Sequence, residues 1–312
     1  MYLAGIDLGG TYIKAGLVGE DLSLVCKTSI PTMAGRNYEE VIKDMAGAII
    51  GLANDNGIGL NEIKSIGIGI PGVSKNGVVI VHNLYWLDVP LRDEMGKHLD
   101  IPVTIDNDAT AAAIYEYHLG VLSGCSVGAL ITLGTGVGGG VVIGGKAFSG
   151  AHGLGTEIGH MAIVRDGLQC TCGNKGCLEV YTSAPALIRM GRRCVIDRPE
   201  SMLHHITQGD YMKVTAEMII DCAKQGDYVA LSIVDEYVQY LAMGICNLIN
   251  VLDPDVIAIG GGLSGAGDFL LDKIEKASEG KGIFENQKYA DIKLAKSGND
   301  AGLIGAAMLA MS

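Results

Sequence analysis

A strand, a glycine–threonine turn and a second strand occur twice in this chain. The first copy runs Leu3-Ala-Gly-Ile-Asp7-Leu-Gly9-Gly10-Thr11-Tyr-Ile-Lys14-Ala-Gly-Leu-Val18. The second runs Ala129-Leu-Ile-Thr132-Leu-Gly134-Thr135-Gly136-Val-Gly138-Gly-Gly-Val-Val-Ile143. Apolar runs on either side of a tight turn read as β-hairpins. A unit that recurs at this distance implies a fold that uses the same supersecondary piece twice. Two such turns facing each other across a cleft would present unhindered backbone N–H groups to one ligand, which suits phosphate oxygens. A third glycine string, Gly260-Gly261-Gly262, follows the apolar strand Val256 to Ile259. No Gly-x-x-x-x-Gly-Lys-Ser/Thr string occurs, so any nucleotide site is not a P-loop.

The other constraint lies between Glu157 and Glu179. Glu157-Ile-Gly159-His160 leads through a short apolar, strand-like piece to Cys170-Thr-Cys172-Gly-Asn-Lys-Gly-Cys177-Leu-Glu179. One imidazole and three thiolates make a complete tetrahedral set for Zn²⁺. A closed set of that kind is structural, and here it would clamp a loop whose two ends carry Glu157 and Glu179. Cys26, Cys125, Cys194, Cys222 and Cys246 stand singly in apolar contexts and read as small core residues.

Composition narrows the function. A net charge of −12 and a pI near 5.0 argue against binding a nucleic-acid backbone, which needs dense Lys and Arg. Asp7 interrupts the first apolar run, so no signal peptide is expected, and the unsecreted chain with a metal-type cysteine cluster belongs in the reducing cytoplasm. The uncharged stretch Val121 to Gly145 is long enough for a membrane span, but its glycines and threonines suit buried strands instead.

In chain order, a third strand is expected over 22–30, an amphipathic helix over 37–56 and a strand Ser65 to Ile70 ending at Pro71-Gly72. Asn83-Leu84 reads as loop and Pro90 to Leu99 as a short helix. The strand Val103 to Asp106 then meets Asn107-Asp108-Ala-Thr-Ala-Ala-Ala, a capped helix start. Thr182 or Ser183 caps a helix over 184–196, and a polar, weakly patterned insert reaches Val214. Helices over Thr215 to Lys224, Tyr228 to Leu252 and Asp268 to Ala277, a strand Ile292 to Ala295 and a last helix Ala301 to Met311 complete the chain.

Asp108 has two readings. At a helix start its carboxylate is stabilised as the anion, so it can accept a proton as a base, or it can simply cap the helix with Asn107. Asp106 is a rival on the same side by strand alternation.

The Glu157-x-Gly-His160 and Cys-x-Cys-Gly-x-x-Gly-Cys-Leu-Glu motifs resemble the zinc-bearing signature of the ROK group (repressors, open reading frames and kinases), and the resemblance runs from residue 4 to residue 311. The paired hairpins are similar to those of the actin, chaperone-ATPase and hexokinase superfamily. The resemblance implies a two-lobed α/β fold of the actin-like, hexokinase type, built from duplicated RNase H-like domains with a cleft between the lobes. The N-terminal lobe would span 1–115 and be joined by the C-terminal helix 301–312, and the larger lobe with the zinc loop would span 116–300.

It also implies an ATP-dependent sugar kinase, a glucokinase before others, with Asp108 as the base. Gly72, Asn83, Asn107, Asp108, Glu157, His160 and Glu179 would bind the hexose, His160 both ligating zinc and facing the sugar. Asp7, Gly9, Gly10, Thr11, Lys14, Gly134, Thr135, Gly136, Gly261 and Gly262 would hold ATP, with Asp7 reaching Mg²⁺. Zn²⁺ would be structural, on His160, Cys170, Cys172 and Cys177, and the enzyme a homodimer. Alternatives are a kinase for fructose, mannose, allose or N-acetylmannosamine, and a non-catalytic sugar sensor or repressor. A repressor would carry a DNA-binding domain ahead of Leu3. Thr156 stands where glucokinases of the group usually have glycine, a departure that bears on the sugar.

Overall fold

Both glycine–threonine turns sit between the first two strands of a five-stranded sheet. The computed structural model describes residues 1–281, 283, 289–296, 298, 300–309 and 311. The strands and helices, in order, are β1 (Tyr2–Leu8), β2 (Tyr12–Gly19), β3 (Leu24–Pro31), α1 (Tyr38–Asp55), β4 (Ile63–Ile70), β5 (Val73–Lys75), β6 (Val78–Val81), β7 (Trp86–Val89), α2 (Leu91–Gly96), β8 (Val103–Asn107) and α3 (Asp108–Leu119). There follow β9 (Val127–Leu133), β10 (Val137–Ile143), β11 (Lys146–Ala147), α4 (Glu179–Thr182), α5 (Ala184–Asp197), α6 (Met202–Thr207), α7 (Ala216–Lys224), α8 (Tyr228–Leu252), β12 (Val256–Gly260), α9 (Asp268–Ser278), β13 (Asp291–Leu294) and α10 (Ala301–Leu309).

One sheet has the order β3-β2-β1-β4-β8 and another β11-β10-β9-β12-β13, so the two share one topology. In each, the first strand of the repeat pairs in parallel with a later one, β1 with β4 and β9 with β12. A small antiparallel sheet, β5-β6-β7, completes the strands. The duplicated α/β unit expected from the two hairpins is therefore present. Two compact units emerge: Met1–Ser126 with Gly140–Thr156 and Lys296–Ser312, and Val127–Gly139 with Glu157–Ala295.

In the first unit, glycines decide how α10 packs. Gly16, Gly5 and Gly67 lie side by side across β2, β1 and β4. A Cβ at Gly5 would strike the Leu303 carbonyl, and one at Gly67 the Ala306 carbonyl. The bare stripe lets the Ala- and Gly-rich α10 lie with its backbone almost on the sheet, and Gly305 lets it approach the Ala111 backbone of α3 equally closely. Ala306, Ala307 and Met308 are buried there. This close seat returns the C-terminal segment to the first unit.

In the second unit, α8 is apolar along most of its length and buries Ile233, Val234, Tyr237, Leu241 and Ile245. It is the one described helix long and apolar enough to cross a membrane, and 56% of its apolar window is buried inside the protein. Asp227 starts it, one carboxylate oxygen accepting from Val229 N at 3.1 Å and the other from Met202 N at 3.0 Å.

Several local expectations need correction. Asn83 lies in a 3-10 turn, His82–Leu84, rather than an open loop. The insert before Val214 contains α6 and a 3-10 turn at Tyr211–Lys213, started by Ser201 and Asp210 caps that outweigh the weak apolar pattern. The piece after His160 makes only isolated bridges, Ala162 to Cys177 and Gln169 to Lys175. Cys194 and Cys222 are buried, but Cys26, Cys125 and Cys246 are half-buried. The helix expected to reach Met311 is described to Leu309, and Ala310 lies outside the described residues.

Candidate active site and metal centre

The polar candidates of the first unit stand at the carboxyl ends of its parallel strands, where open α/β sheets place their ligands. In register, Lys14 faces Asp7, Asp7 faces Gly69, and Gly69 faces Asp106. Lys14 Nζ lies 3.3 Å from Asp7 Oδ2. Lys14 is thus committed first to Asp7 and is not a bare surface charge. Asp7 is half-buried at the foot of the first turn.

That turn is braced from β3. The Thr32 hydroxyl donates to Gly9 O at 2.7 Å, Thr32 N donates to Thr11 O at 2.8 Å, and Gly9 N donates to Tyr12 O at 2.9 Å. A Cβ on Gly10 would come within 3.1 Å of Asn83 Nδ2, so Asn83 lies directly beside the turn. Sequence reasoning missed Thr32, whose fully buried hydroxyl has no local signal beyond following a strand.

At the β8–α3 junction three consecutive residues take different tasks. Asn107 is the N-cap, its Oδ1 accepting from Ala109 N at 2.8 Å, while its Nδ2 donates to Gly72 O at 3.1 Å. The Asp106 oxygens accept from Asn107 N at 2.7 Å and from the Ser149 hydroxyl at 2.7 Å. Burial raises the Asp106 carboxyl above its ordinary range, and the bonds from Ser149, Asn107 N and the Thr110 side chain oppose the rise. Asp108 opens α3 with its side chain exposed, Oδ1 accepting from Ala109 N at 2.7 Å. The helix start favours the Asp108 anion. Of the two rivals, Asp108 is the exposed carboxylate and Asp106 the more buried one.

The second turn is held differently. Ala184 N donates to Gly134 O at 2.8 Å, and Gly134 N donates to Gly136 O at 2.9 Å. Val137 N donates to Glu179 Oε2 at 3.1 Å, and a Cβ on Gly136 would meet that same oxygen at 2.7 Å. Gly261, at φ +82°, backs onto Leu133, whose backbone a Cβ would strike at 2.5 Å. Only glycine fits there. Gly134 and Gly262 have open space where a Cβ would point, and Thr135 is exposed.

His160, Cys170, Cys172 and Cys177 bring one ligand atom each to within 4.8 Å of one another. Cys172 Sγ lies 3.7 Å from Cys177 Sγ, and Cys170 Sγ lies 3.6 Å from His160 Nδ1. A tetrahedral Zn²⁺ with ordinary bond lengths has S···S edges of about 3.8 Å and N···S edges of about 3.6 Å. The donor set fits zinc in kind and in spacing. Burial first, and the neighbouring thiols second, push the Cys177 thiol up to about 12, so a thiolate there calls for a cation. The backbone allows the tight knuckle because Gly176, at φ +75°, touches the Val164 carbonyl.

Glu157 and Glu179 flank this centre. Desolvation chiefly, and Glu179 less, raise the Glu157 carboxyl, against the pull of His160. Cys170 Sγ lies 4.0 Å from Glu179 Oε1, so Glu179 touches both the cluster and the second turn. Thr156, just before Glu157, has φ +63°, a strained conformation for a β-branched residue. Its hydroxyl donates to Gly155 O at 2.7 Å.

The structure thus gathers Asp7, Gly9, Gly10, Thr11, Lys14, Gly72, Asn83, Asn107 and Asp108 in the first unit. Gly134, Thr135, Gly136, Glu157, His160, the three cysteines, Glu179, Gly261 and Gly262 belong to the second.

Residues 3–312 match the family described as the ROK family. A glucokinase of Halalkalibacterium halodurans is 36% identical over 99% of this chain and 94% of its own length. Among solved structures, a ROK family glucokinase from Streptomyces griseus, in complex with glucose and AMPPNP, is 34% identical with a TM-score of 0.82, covering 99% of both chains. A ROK hexokinase from Thermus thermophilus is 30% identical with a TM-score of 0.83, over 99% of this chain and 97% of that one.

Proposed function

Since the chain belongs to the ROK family, we propose that it is an ATP-dependent sugar kinase that converts glucose to glucose 6-phosphate. The observation that carries this is the full-length likeness to glucokinases, one of them solved with glucose and AMPPNP. The residues present suit the reaction, which needs a positioned base, a grip on sugar hydroxyls and neutralised phosphates.

Asp108 is the base that takes the proton of the attacking hydroxyl. Its exposure at the start of α3 supports the assignment, as does the engagement of Asp106 by Ser149 and Asn107 N. Asn107, Glu157, His160 and Glu179 bind the sugar, with Gly72 orienting Asn107 and Asn83 standing beside Gly10. Carboxylates and a carboxamide suit hydroxyl recognition because they accept from, or exchange with, vicinal O–H groups. His160 turns Nδ1 toward Cys170, which leaves Nε2 for the sugar.

Gly10, Thr11, Thr135 and Gly136 contact phosphates, and Gly261 and Gly262 flank the adenosine. Mg²⁺ brought with ATP would lower the charge on the phosphates, and the half-buried Asp7 carboxylate is the group to hold it, through water. Zn²⁺ on His160, Cys170, Cys172 and Cys177 would fix the segment carrying Glu157 and Glu179 and take no part in bond breaking. We place the enzyme in the cytoplasm as a homodimer; its eight free cysteines and acidic charge suit a reducing compartment.

The test is ADP release from ATP across a hexose panel. Glucose is expected first, mannose weaker and N-acetylmannosamine poor, since a site that pairs each hydroxyl rejects sugars that leave a buried group unpaired. Preference for fructose, allose or N-acetylmannosamine over glucose would overturn the sugar assignment while leaving the kinase chemistry in place.

A further inference from the structure

Between β11 and the 3-10 turn that begins at Ile158, no strand or helix fixes the backbone. Residues 149–156 nevertheless form a closed loop, because Gly155 N donates to Ser149 O at 2.9 Å. Gly150 and Gly153 sit at φ +74° and +68°, and a Cβ on Gly153 would strike the Ser74 carbonyl of β5. One side-chain bond then ties the loop to β8, from the Ser149 hydroxyl to Asp106 Oδ2 at 2.7 Å. The loop ends in the left-handed Thr156 and passes by one peptide bond into Glu157.

Asp106 is otherwise hard to explain. It is not the exposed carboxylate of its strand end, and placing a carboxylate in a largely desolvated position is unfavourable unless its oxygens are paired. One oxygen is satisfied by the neighbouring Asn107 N–H, and the second by Ser149. Deleting the hydroxyl would take from that oxygen its Ser149 donor and from the loop its side-chain anchor.

We propose that Ser149 and Asp106 form a latch that sets the course of the 149–156 loop, and through it the position of Glu157 and the affinity for sugar. Asp106 is then a positioning residue, in contrast to the base Asp108. The sugar part rests on the reading of Glu157 as a sugar ligand; the latch itself does not.

Two measurements test this on the full chain. Hydrogen exchange of the unliganded protein should show the amides of 150–157 exchanging faster in Ser149→Ala than in wild type, with protection returning in Ser149→Thr. Unchanged exchange in Ser149→Ala would overturn the latch. In steady-state kinetics, Ser149→Ala should raise the glucose KM about tenfold, the size expected for a lost bond to a charged group, with kcat and the ATP KM within about threefold. Ser149→Thr should restore the glucose KM. Asp106→Asn should behave like Ser149→Ala; a loss of kcat of about a hundredfold at unchanged glucose KM would make Asp106 the base and sink its positioning role. Wild-type protein that phosphorylates no hexose would remove the proposed function, and the exchange result would still decide the latch.

Discussion

The two glycine turns offer the same groups, yet different parts of the chain hold them. In the first, Gly9 O and Thr11 O both bond to Thr32, the residue just past β3 of the same sheet. In the second, Gly134 O bonds to Ala184 N, and Val137 N bonds to Glu179, both from the segment that follows the cysteines. The strand ends differ as well. Asp7 faces Gly69 in the first repeat, whereas Thr132 faces Gly260 in the second. The position next after Gly69 in the first sheet is Asp106, and in the second sheet the residue following Leu294 is Ala295. One repeat has therefore concentrated carboxylates, and the other has joined its turn to the Cys/His knuckle. A duplicated scaffold can divide labour in this way because function resides in the groups at the strand ends and not in the sheet.

If acid–base chemistry belongs to the first repeat, the largest effect should come from Asp108→Asn. Turnover should fall by about two to four orders of magnitude, with glucose binding by calorimetry little changed. Near-normal turnover would reduce Asp108 to a helix cap and leave the first repeat without its base.

The next largest effect should single out the second repeat. Purified protein should contain one zinc per chain by metal analysis, and Cys172→Ser should lose it. Because Glu179 touches both Cys170 and the Val137 N–H, the glucose KM should rise about ten- to a hundredfold with the metal gone. The brace on the first turn, Thr32, does not pass through that segment, so the first unit should keep its hydrogen-exchange protection. Fully active protein without metal would break the link between knuckle and turn.

Much of this contrast was legible in the sequence, for physical reasons. Repetition of apolar strands around Gly-Thr turns reveals a duplicated unit because a tight turn needs glycine at defined places. The cysteine spacing reveals a cluster of candidate ligands because thiols so close in sequence have few other uses, and the four groups do come together. Closed-shell contacts between distant segments were not legible. Nothing near Thr32 or Ser149 signals that either hydroxyl crosses to another strand, and Asp106 and Asp108 are equivalent by alternation until burial separates them. The α6 turn was hidden because its formation depends on the Ser201 cap and on Asp227, brought in by α8. Gly5, Gly16 and Gly67 looked like ordinary strand glycines, although they are the seat of α10.

The smallest expected effect also separates the repeats. Burial raises the Asp106 carboxyl above its ordinary 3.8, so the folded chain holds that proton more tightly than the unfolded one. In the pH interval between the two values the unfolded state binds fewer protons, and unfolding free energy falls as pH rises. The contribution is full below 3.8 and is gone once pH has passed the raised folded value. Asp106→Asn removes the titration, so its denaturant midpoint should lack this decline. Ala295, in the corresponding place of the second sheet, has nothing to titrate, and Ala295→Ser should follow the wild-type pH curve. Parallel curves for wild type and Asp106→Asn from about pH 4 to 7 would show that Asp106 is no harder to ionise than an exposed aspartate. The contrast between a buried Asp106 and an exposed Asp108 would then lose its electrostatic half and rest on the difference in exposure alone.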